Sequence, residues 1–257
     1  MMGALTIACL GKGGTGKTMV STVIGRIARD AGMKVLLIDA DPVMGLSVNC
    51  GIDDIPTVAD AREQIIERVK ALTADTPESE IAEIVGYLLS RTLVERDGLA
   101  FIAMGQSSSL GCYCSLNMLL RKMIGAIVDR FDMVVIDAEA GIEQVNRQVI
   151  ERVDQALLLA DGSWRSIQTL KLVRDTARKI PMMEECRMGV LFNRVAAIPE
   201  SHSQALMEAG LPILGFLPSD PAVSLADASR GGLHGLPAES VTYTRISAIL
   251  DTLGALG

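Results

Sequence analysis

Aromatic and basic residues are both scarce in this sequence. Phe, Trp and Tyr make up 3% of its 257 residues, which leaves little material for the base-stacking surfaces of single-stranded nucleic-acid binders. The 24 Lys and Arg are outnumbered by 31 Asp and Glu, and the formal net charge is −7. The electrostatic field of a negative net charge repels phosphate backbones and anionic lipids. A general nucleic-acid or membrane-surface binder is therefore disfavoured, although a local basic site is still possible.

The cysteine pattern of a disulfide framework and long apolar runs are also lacking. The five cysteines are odd in number and mostly scattered, which argues against a disulfide framework and leaves thiol or metal chemistry open. No apolar stretch approaches the ~20 residues of a membrane span, and Met1–Leu10 lacks the basic region of a secretory signal. We therefore expect a cytoplasmic protein.

Apolar runs of strand length alternate with helical patterns along the whole chain. With 49% apolar and 21% charged residues, the chain can bury a sizeable core. The predicted strands are Leu5–Leu10, Val35–Ile38, Ala100–Ala103, Met133–Ile136, Ala156–Ala160, Met188–Phe192 and Ile213–Leu217. The predicted helices are Thr18–Ala31, Val58–Leu72, Glu78–Leu89, Ser115–Arg130, Ser166–Ala177, Ser201–Ala209 and Ser240–Leu253.

This alternation predicts an α/β fold with a doubly wound, mostly parallel sheet flanked by helices. Continuous apolar strands are typical of parallel sheets that are buried on both faces, and right-handed crossovers then place helices on each face. We interpret residues 1–257 as a single domain. The charged segment Gly51–Arg96 has only helical periodicity and is interpreted as a helical insertion that covers one edge of the sheet.

A phosphate-binding loop follows the first predicted strand. The pattern is Gly, four residues, then Gly-Lys-Thr, in the run Gly11-Lys12-Gly13-Gly14-Thr15-Gly16-Lys17-Thr18. Its glycines let backbone N–H groups surround a triphosphate, and the helix that begins near Lys17 adds the positive end of its dipole. We expect Lys17 to contact the terminal phosphates and Thr18 to offer its hydroxyl to magnesium. The alternative is a glycine-rich turn that binds nothing.

A second lysine, Lys12, lies inside this loop, which needs only one. A cation at the second position points away from the γ-phosphate of its own nucleotide. We therefore expect Lys12 to reach across a two-fold interface into a partner's phosphates, as an arginine finger does when it is supplied in trans. The alternative is a solvated loop lysine.

Two acidic motifs follow predicted strands and complete the candidate site. They are Asp39-Ala40-Asp41-Pro42 and Asp137-Ala138-Glu139-Ala140-Gly141-Ile142-Glu143. Ligands of doubly wound folds collect at the carboxyl ends of the strands, so both motifs open onto the crevice of the loop. Asp137 suits the magnesium shell, Asp41 suits orienting the attacking water, and the Gly141 N–H suits sensing a γ-phosphate. Taken alone, each aspartate could instead cap a helix or belong to a turn.

Two cysteines separated by one residue, Cys112 and Cys114, precede a predicted helix. Both thiolates can bind one soft metal ion, but a closed site needs four ligands. A symmetry mate could contribute the same pair and create a four-thiolate site on a dimer axis, or His202, His234 or another cysteine could complete the site. Alternatively, both cysteines are small buried apolar residues.

The phosphate loop and the two acidic motifs resemble the deviant Walker A, switch I and switch II of the MinD/ParA/nitrogenase-iron-protein superfamily of dimerising ATPases. Two later motifs fit this resemblance, namely Phe192-Asn193-Arg194 and Gly215-Phe216-Leu217-Pro218-Ser219-Asp220. The resemblance implies that Asn193 reads adenine and that the turn with Pro218 and Asp220 covers the base. It therefore implies ATP or ADP with magnesium as the ligand.

A narrower resemblance is to the CooC family, the ATPases that assist nickel insertion into carbon monoxide dehydrogenase. It is carried by Met104-Gly105-Gln106, Gly111-Cys112-Tyr113-Cys114-Ser115-Leu116-Asn117, Ala140-Gly141-Ile142-Glu143, Asp161-Gly162-Ser163 and Ser166-Ile167-Gln168-Thr169. The resemblance spans Leu5 to Ser219. It implies a homodimer that holds zinc, nickel or an iron–sulfur cluster between Cys112 and Cys114 of two chains, and that serves a nickel or iron–sulfur enzyme.

The leading hypothesis is an ATPase that cycles between an open state and an ATP-closed homodimer, and couples this cycle to holding or delivering a metal. One rival is an ATP-gated iron–sulfur reductase like the nitrogenase iron protein, although Ala138–Gln144 contains no cysteine. Another is a positioning ATPase that binds membrane or DNA, although the tail Val241–Gly257 holds only one basic residue, Arg245.

Other conspicuous residues are interpreted as structural. Cys9 lies within a predicted strand, where a small buried thiol is expected. His202 and His234 are expected at the surface or in loops. Trp164 is expected to be a large apolar plug, with a position at an interface or over the two switch motifs as the alternative.

Overall fold

The computed structural model describes residues 4–41, 44–52, 54–72, 76–105, 114–138, 152–229 and 232–256. Eight strands lie within them: β1 (Leu5–Gly11), β2 (Val35–Asp39), β3 (Val94–Arg96), β4 (Leu99–Ala103), β5 (Met133–Asp137), β6 (Gln155–Ala160), β7 (Arg187–Asn193) and β8 (Ile213–Leu217).

The eight strands form one sheet in the order β3-β4-β2-β5-β1-β6-β7-β8. Neighbouring strands are parallel except at one edge, where β3 pairs antiparallel with β4. Five of them, β2, β4, β5, β6 and the inner part of β1, are buried along their length. The phosphate loop leaves β1 close to the middle of this sheet, beside β5 and β6.

Helices cover both faces of the sheet. Those described are α1 (Lys17–Asp30), α2 (Gly45–Asn49), α3 (Val58–Lys70), α4 (Glu78–Ser90), α5 (Cys114–Val128), α6 (Trp164–Ala177), α7 (Glu200–Glu208), α8 (Pro221–Asp227) and α9 (Val241–Thr252). Alternate residues of each strand feed two separate cores because successive side chains point to opposite faces. In β1, Ile7 and Cys9 pack with α1, α2, α8 and α9, whereas Ala8 and Leu10 pack with α3 to α7.

The predicted elements are confirmed, each strand within one residue and each helix within two residues of its observed ends. Three short elements were not predicted. Strand β3 lies inside the segment with helical periodicity, and α2 and α8 are too short to show a period of 3.6 residues. Helix α8 begins where Asp220 accepts a hydrogen bond from the Ala222 N–H and Pro221 takes the first helical position. The interpretation of residues 51–96 as an insertion stays a prediction.

Candidate functional site

The loop between β1 and α1 depends on two glycines in backbone conformations that other residues rarely adopt. Gly11 has φ of 141°, and a Cβ there would lie 2.4 Å from the Leu159 carbonyl oxygen on β6. Gly16 has φ of 91° and ψ of 27° and directly precedes the first turn of α1. The chain can therefore leave the sheet, reverse and begin a helix within five residues. Gly13 and Gly14 lie exposed at the tip of this loop.

The loop is closed by contacts to one carbonyl. The Lys12 carbonyl accepts a hydrogen bond from the Thr15 hydroxyl at 2.8 Å and one from the Lys17 ammonium at 3.4 Å. Thr15 is fully buried and Lys17 is only 7% exposed. The Lys17 ammonium is thus held under the loop, where an anion would be its counter-charge.

Helix α1 has no side-chain cap at its N-terminus, since Gly16 has no side chain to offer. The first N–H groups of a helix have no partner inside the helix, and together with the helix dipole they attract anions. Four other helices in the described ranges are capped by side chains, namely Thr57 on α3, Ser163 on α6, Asp220 on α8 and Ser240 on α9. Helices α2, α4 and α7, like α1, have no cap from the side chain of the residue before them, but none of them follows a glycine-rich loop. An uncapped start behind a glycine-rich loop fits a phosphate ligand.

Asp137 ends β5 and is 1% exposed. It pairs in register with Cys9 on one side and with Asp39 on the other. Burial raises the pKa of Asp137 to about 7; the Asp39 carboxyl adds to this rise, while the nearby Thr18 hydroxyl and the Lys17 ammonium oppose it. Neither carboxylate oxygen has a hydrogen bond of ordinary geometry among the described residues. A buried carboxylate without partners, beside a hydroxyl, fits a divalent cation such as magnesium.

Asp39 at the end of β2 lies beside Asp137 and was not among the predicted site residues, which included Asp41 instead. Its carboxylate accepts three backbone hydrogen bonds, from Asp41 at 3.1 Å, Leu46 at 2.9 Å and Ser47 at 3.4 Å. Burial nevertheless raises the pKa of Asp39 to about 6, because the backbone donors only partly offset the desolvation. Asp39 therefore shapes the segment that carries Asp41 and holds the start of α2. Its place as the first acid after a buried strand was the available signal.

Asn193 ends β7 and reaches under the phosphate loop. It is 2% exposed, and its amide nitrogen donates a hydrogen bond of 2.8 Å to the Thr15 carbonyl. The next residue, Arg194, has a left-handed backbone with φ of 57°, and its guanidinium donates to the Gly14 carbonyl. The end of β7 thus supports the phosphate loop through two side chains.

A cleft of about 360 Å³ opens beside the start of α1. It brings together several predicted site residues with neighbours that were not predicted; its lining includes Gly16, Thr18, Asn193, Arg194, Pro218, Asp220 and Thr242. A larger recess of about 640 Å³ lies at the amino ends of β2 and β5, near Lys34 and Arg130. Ligands of doubly wound folds bind at the carboxyl ends of the strands, so the smaller cleft is the candidate site.

Asp220 lines this cleft, but both of its carboxylate oxygens are engaged by backbone donors. One accepts from the Ala222 N–H at 3.0 Å and the other from the Thr242 N–H at 2.9 Å. Burial would raise the pKa of Asp220, but these hydrogen bonds outweigh burial and lower it. The carboxylate therefore ties the starts of α8 and α9 together.

Lys12 lies on the other flank of the loop, where its ammonium is 3.4 Å from a carboxylate oxygen of Asp161. Asp161 directly follows β6, the strand beside β1. The two side chains are 32% and 29% exposed. The predicted second lysine is therefore paired within its own chain.

Several predicted residues lie outside the described ranges. These are Gly141 with the rest of residues 139–151, and Cys112; Cys114 begins α5, but its side chain is not among those described. Within the described part of the chain, no group of three or more His, Cys, Asp or Glu side chains is placed to hold a metal ion. The same ranges contain no helix that is long and apolar enough to span a membrane.

Two expectations about single residues were wrong. His202 is buried on α7, at 8% exposed, because it packs edge to face with Trp164 at a ring-centroid distance of 5.2 Å. Trp164 is 48% exposed at the start of α6, so it is a partly open surface residue and not a plug. Cys9 is fully buried as expected, and burial raises its pKa to about 12, which makes it an inert thiol.

Comparison with known proteins shows which family this sequence matches. A family model described as the CobQ/CobB/MinD/ParA nucleotide binding domain matches residues 6–232. An ATP-binding protein of Methanocaldococcus jannaschii is 29% identical over 253 residues, covering 97% of this chain and 98% of that protein. The carbon monoxide dehydrogenase accessory protein CooC of Rhodospirillum rubrum is 28% identical over 261 residues, covering 97% of this chain and 98% of that protein.

Solved structures share the fold. A chain of the MinC:MinD cell division protein complex of Aquifex aeolicus gives a TM-score of 0.69 at 20% identity, covering 98% of this chain and 96% of that one. The septum site-determining protein MinD of Pyrococcus horikoshii, complexed with Mg-ADP, gives a TM-score of 0.67 at 20% identity, covering 98% and 97%.

Proposed function

The chain belongs to the CobQ/CobB/MinD/ParA nucleotide-binding family, and from this premise we propose that it is a magnesium-dependent ATPase that acts as a homodimer in metal insertion. The observation that carries the ATPase proposal is the buried Asp137 carboxylate, which has no hydrogen bond of ordinary geometry among the described residues and has only the Thr18 hydroxyl and the Lys17 ammonium nearby to offset its charge. Burying an ionised carboxylate costs free energy unless a cation binds to it.

The nucleotide is proposed to bind across the start of α1. Its phosphates would be surrounded by the N–H groups of residues 11–18, with Lys17 against the terminal phosphates. Magnesium would be held by the Thr18 hydroxyl and the Asp137 carboxylate, and would neutralise phosphate charge when bound. The base would lie in the cleft of about 360 Å³, where Asn193 and Pro218 confer adenine specificity.

Hydrolysis is proposed to need groups from both sides of a dimer. Asp41 would orient the attacking water, the Gly141 N–H would respond to the γ-phosphate, and Lys12 of a second copy would reach the transition-state charge. This role for Lys12 requires ATP-driven closure of two chains, so dimer formation and hydrolysis are linked.

The ATPase proposal is tested with two lysine variants. Lys17→Ala should lose ATP binding, measured by fluorescence of a nucleotide analogue, whereas Lys12→Ala should keep binding and lose about 10³-fold in hydrolysis rate. Lys34→Ala is the matched control, since Lys34 lies exposed just before β2, at the end of the sheet away from the phosphate loop. Absence of magnesium-dependent ATP hydrolysis in the wild-type chain would overturn the proposal.

The metal function is proposed from the Cys112 and Cys114 pair and from the similarity to CooC over nearly the whole chain. Two copies of the chain would supply four thiolates to zinc or nickel, and ATP-driven closure would control its delivery to a client enzyme such as carbon monoxide dehydrogenase. The client would be a nickel or iron–sulfur metalloenzyme of the cytoplasm.

Metal analysis and sizing of the purified protein, with and without ATP, test this function. The double variant Cys112→Ser/Cys114→Ser should lose about one metal ion per dimer, and Cys186→Ser, which changes a thiol far from the pair in sequence, should not. Unchanged metal content in the double variant would contradict the proposal. Visible absorption of anaerobically purified protein would instead identify an iron–sulfur cluster at the same cysteines, the alternative function of an ATP-gated reductase or cluster carrier.

A further inference from the structure

Lys12 and Asp161 form an ion pair within one chain, although they are 149 residues apart in sequence. The juxtaposition follows from the sheet order, because β1 and β6 are neighbours and both residues follow the carboxyl ends of these strands. The Lys12 ammonium and the Asp161 carboxylate oxygen are 3.4 Å apart. This lysine is the same one that closure of two chains would direct into the partner.

The Asp161 carboxylate is held in place by the start of α6. Its other oxygen accepts hydrogen bonds from the Ser163 N–H at 3.0 Å and from the Ser163 hydroxyl. Ser163 in turn caps α6 through the Ser166 N–H at 3.2 Å. Burial raises the pKa of Asp161, but the hydrogen bonds from Ser163 and Lys12 outweigh burial and lower it. The carboxylate is therefore ionised at neutral pH and fixed by donors at the start of its own helix.

We propose that Asp161 is a positioning residue that retains Lys12 on its own chain in the unpaired state, so that ATP-driven closure must first break this ion pair. The inference rests on the proposed function, because it needs Lys12 to act in the partner's site. It adds a regulatory contact to that function, since Asp161 opposes closure in the absence of ATP.

The expected effect is modest because both side chains are about one-third exposed. Ion pairs of this exposure contribute little, and a change of about two- to fivefold in an association midpoint is expected when the carboxylate charge is removed. The effect should also shrink as ionic strength rises, because salt screens exposed charges.

The test compares Asp161→Asn with the wild-type chain. Asparagine keeps the oxygen that accepts from the Ser163 N–H and replaces the charged oxygen that faces Lys12 with an uncharged NH2 group, which cannot accept from the lysine. The ATP concentration that gives half-maximal dimer, measured by sedimentation velocity, should be about two- to fivefold lower in Asp161→Asn, with a smaller difference at 0.5 M salt. Asp175→Asn is the matched control, since it removes a carboxylate that pairs with Arg174 on the exposed side of α6.

The same measurement in a Lys12→Ala background shows whether the effect of Asp161→Asn depends on Lys12. Asp161→Asn should then leave the midpoint unchanged, because its partner is already absent. A midpoint that is unchanged or raised in Asp161→Asn alone would overturn the inference, and so would a shift that persists without Lys12. If Asp161→Asn does not fold, Asp161→Ser takes its place, since it also keeps an acceptor for Ser163.

Failure of the inference differs from failure of the proposed function. If the wild-type chain shows no ATP-dependent association, the proposed function fails and the inference fails with it. If the wild-type chain associates and hydrolyses ATP while Asp161→Asn has no lower midpoint, only the role of Asp161 is wrong.

Discussion

The amide of Asn193 donates a hydrogen bond of 2.8 Å to the carbonyl of Thr15, across 178 residues of sequence. Asn193 is the last residue of β7, so this bond fixes the phosphate loop to the sheet. The same amide nitrogen would lie 2.3 Å from a Cβ at Gly16. One buried side chain therefore supports the loop and also restricts which residue can start α1.

Replacing Asn193 by Ala should lower both stability and nucleotide affinity. The free energy of unfolding should fall by about 1–3 kcal/mol, because the Thr15 carbonyl loses its partner in a buried place. Urea denaturation and nucleotide titration provide the measurements. Gln168→Ala removes an exposed amide on α6 and should change neither quantity by a comparable amount. Unchanged affinity in Asn193→Ala would show that the loop does not depend on this bond.

Gly16→Ala should abolish nucleotide binding and reduce stability. The left-handed backbone costs roughly 1–2 kcal/mol for any residue with a Cβ, and the contact with the Asn193 amide adds to this cost. Adding Asn193→Ala should relieve the contact, so thermal unfolding of the double variant should show less than additive loss. Gly125→Ala, on α5 with no atom within 4 Å of the added Cβ, should instead be neutral or stabilising. Equal losses of stability in Gly16→Ala and Gly125→Ala would contradict the special role of the Gly16 backbone.

The stability of the ligand-free protein should decrease as pH rises from about 4 to about 7. Burial raises the pKa of Asp39 to about 6 and that of Asp137 to about 7, above their ordinary value of 3.8. The folded state therefore holds protons that the unfolded state has released, and each carboxyl contributes a slope of up to about 1.4 kcal/mol per pH unit within its window. This stabilisation is complete below the unfolded pKa and is lost as pH passes the folded pKa.

Magnesium should reverse this dependence, because it binds the ionised carboxylate. Affinity for the magnesium–nucleotide complex should rise as pH increases through about 6 to 7, with proton release measurable by calorimetry in buffers of different ionisation enthalpy. Asp137→Asn should flatten the affinity profile and reduce the slope of the stability profile, to which Asp39 still contributes, whereas Asp251→Asn, an exposed change on α9, should change neither. Profiles that are identical in Asp137→Asn and the wild-type chain would contradict the role of this carboxylate.

Asp220→Ala should destabilise the protein because the starts of two helices, α8 and α9, lose a hydrogen-bond acceptor. The carboxylate caps α8 and also accepts from the Thr242 N–H near the start of α9, so we expect a loss of about 1–3 kcal/mol in urea denaturation. Asp129→Asn, an exposed change after α5, is the control. If Asp220→Asn retains stability but loses nucleotide affinity, Asp220 contacts the ligand directly; if both quantities fall together, its effect is exerted through the helices.

Much of the fold was predictable because its signals are local. Continuous apolar runs and helical periodicity located the long elements, and the Gly-x4-Gly-Lys-Thr spacing located the loop. The short helix α2 was missed because its five residues are too few to show a period of 3.6. Its start is held by the Asp39 carboxylate, which accepts from the backbone of Leu46 and Ser47. His202 was misplaced because its burial depends on Trp164 of a neighbouring helix.

The amino-acid sequence alone determined the alternation of strands and helices, the glycines of the loop and the acidic residues at strand ends, because each is specified by residues within a few positions of one another. Tertiary structure decided which of these side chains meet. The pairing of Lys12 with Asp161, the support of Thr15 by Asn193 and the raised pKa of Asp137 all require the strand order of the sheet. Strand order and burial arise only when distant segments pack, and desolvation then sets the charge of each buried carboxyl.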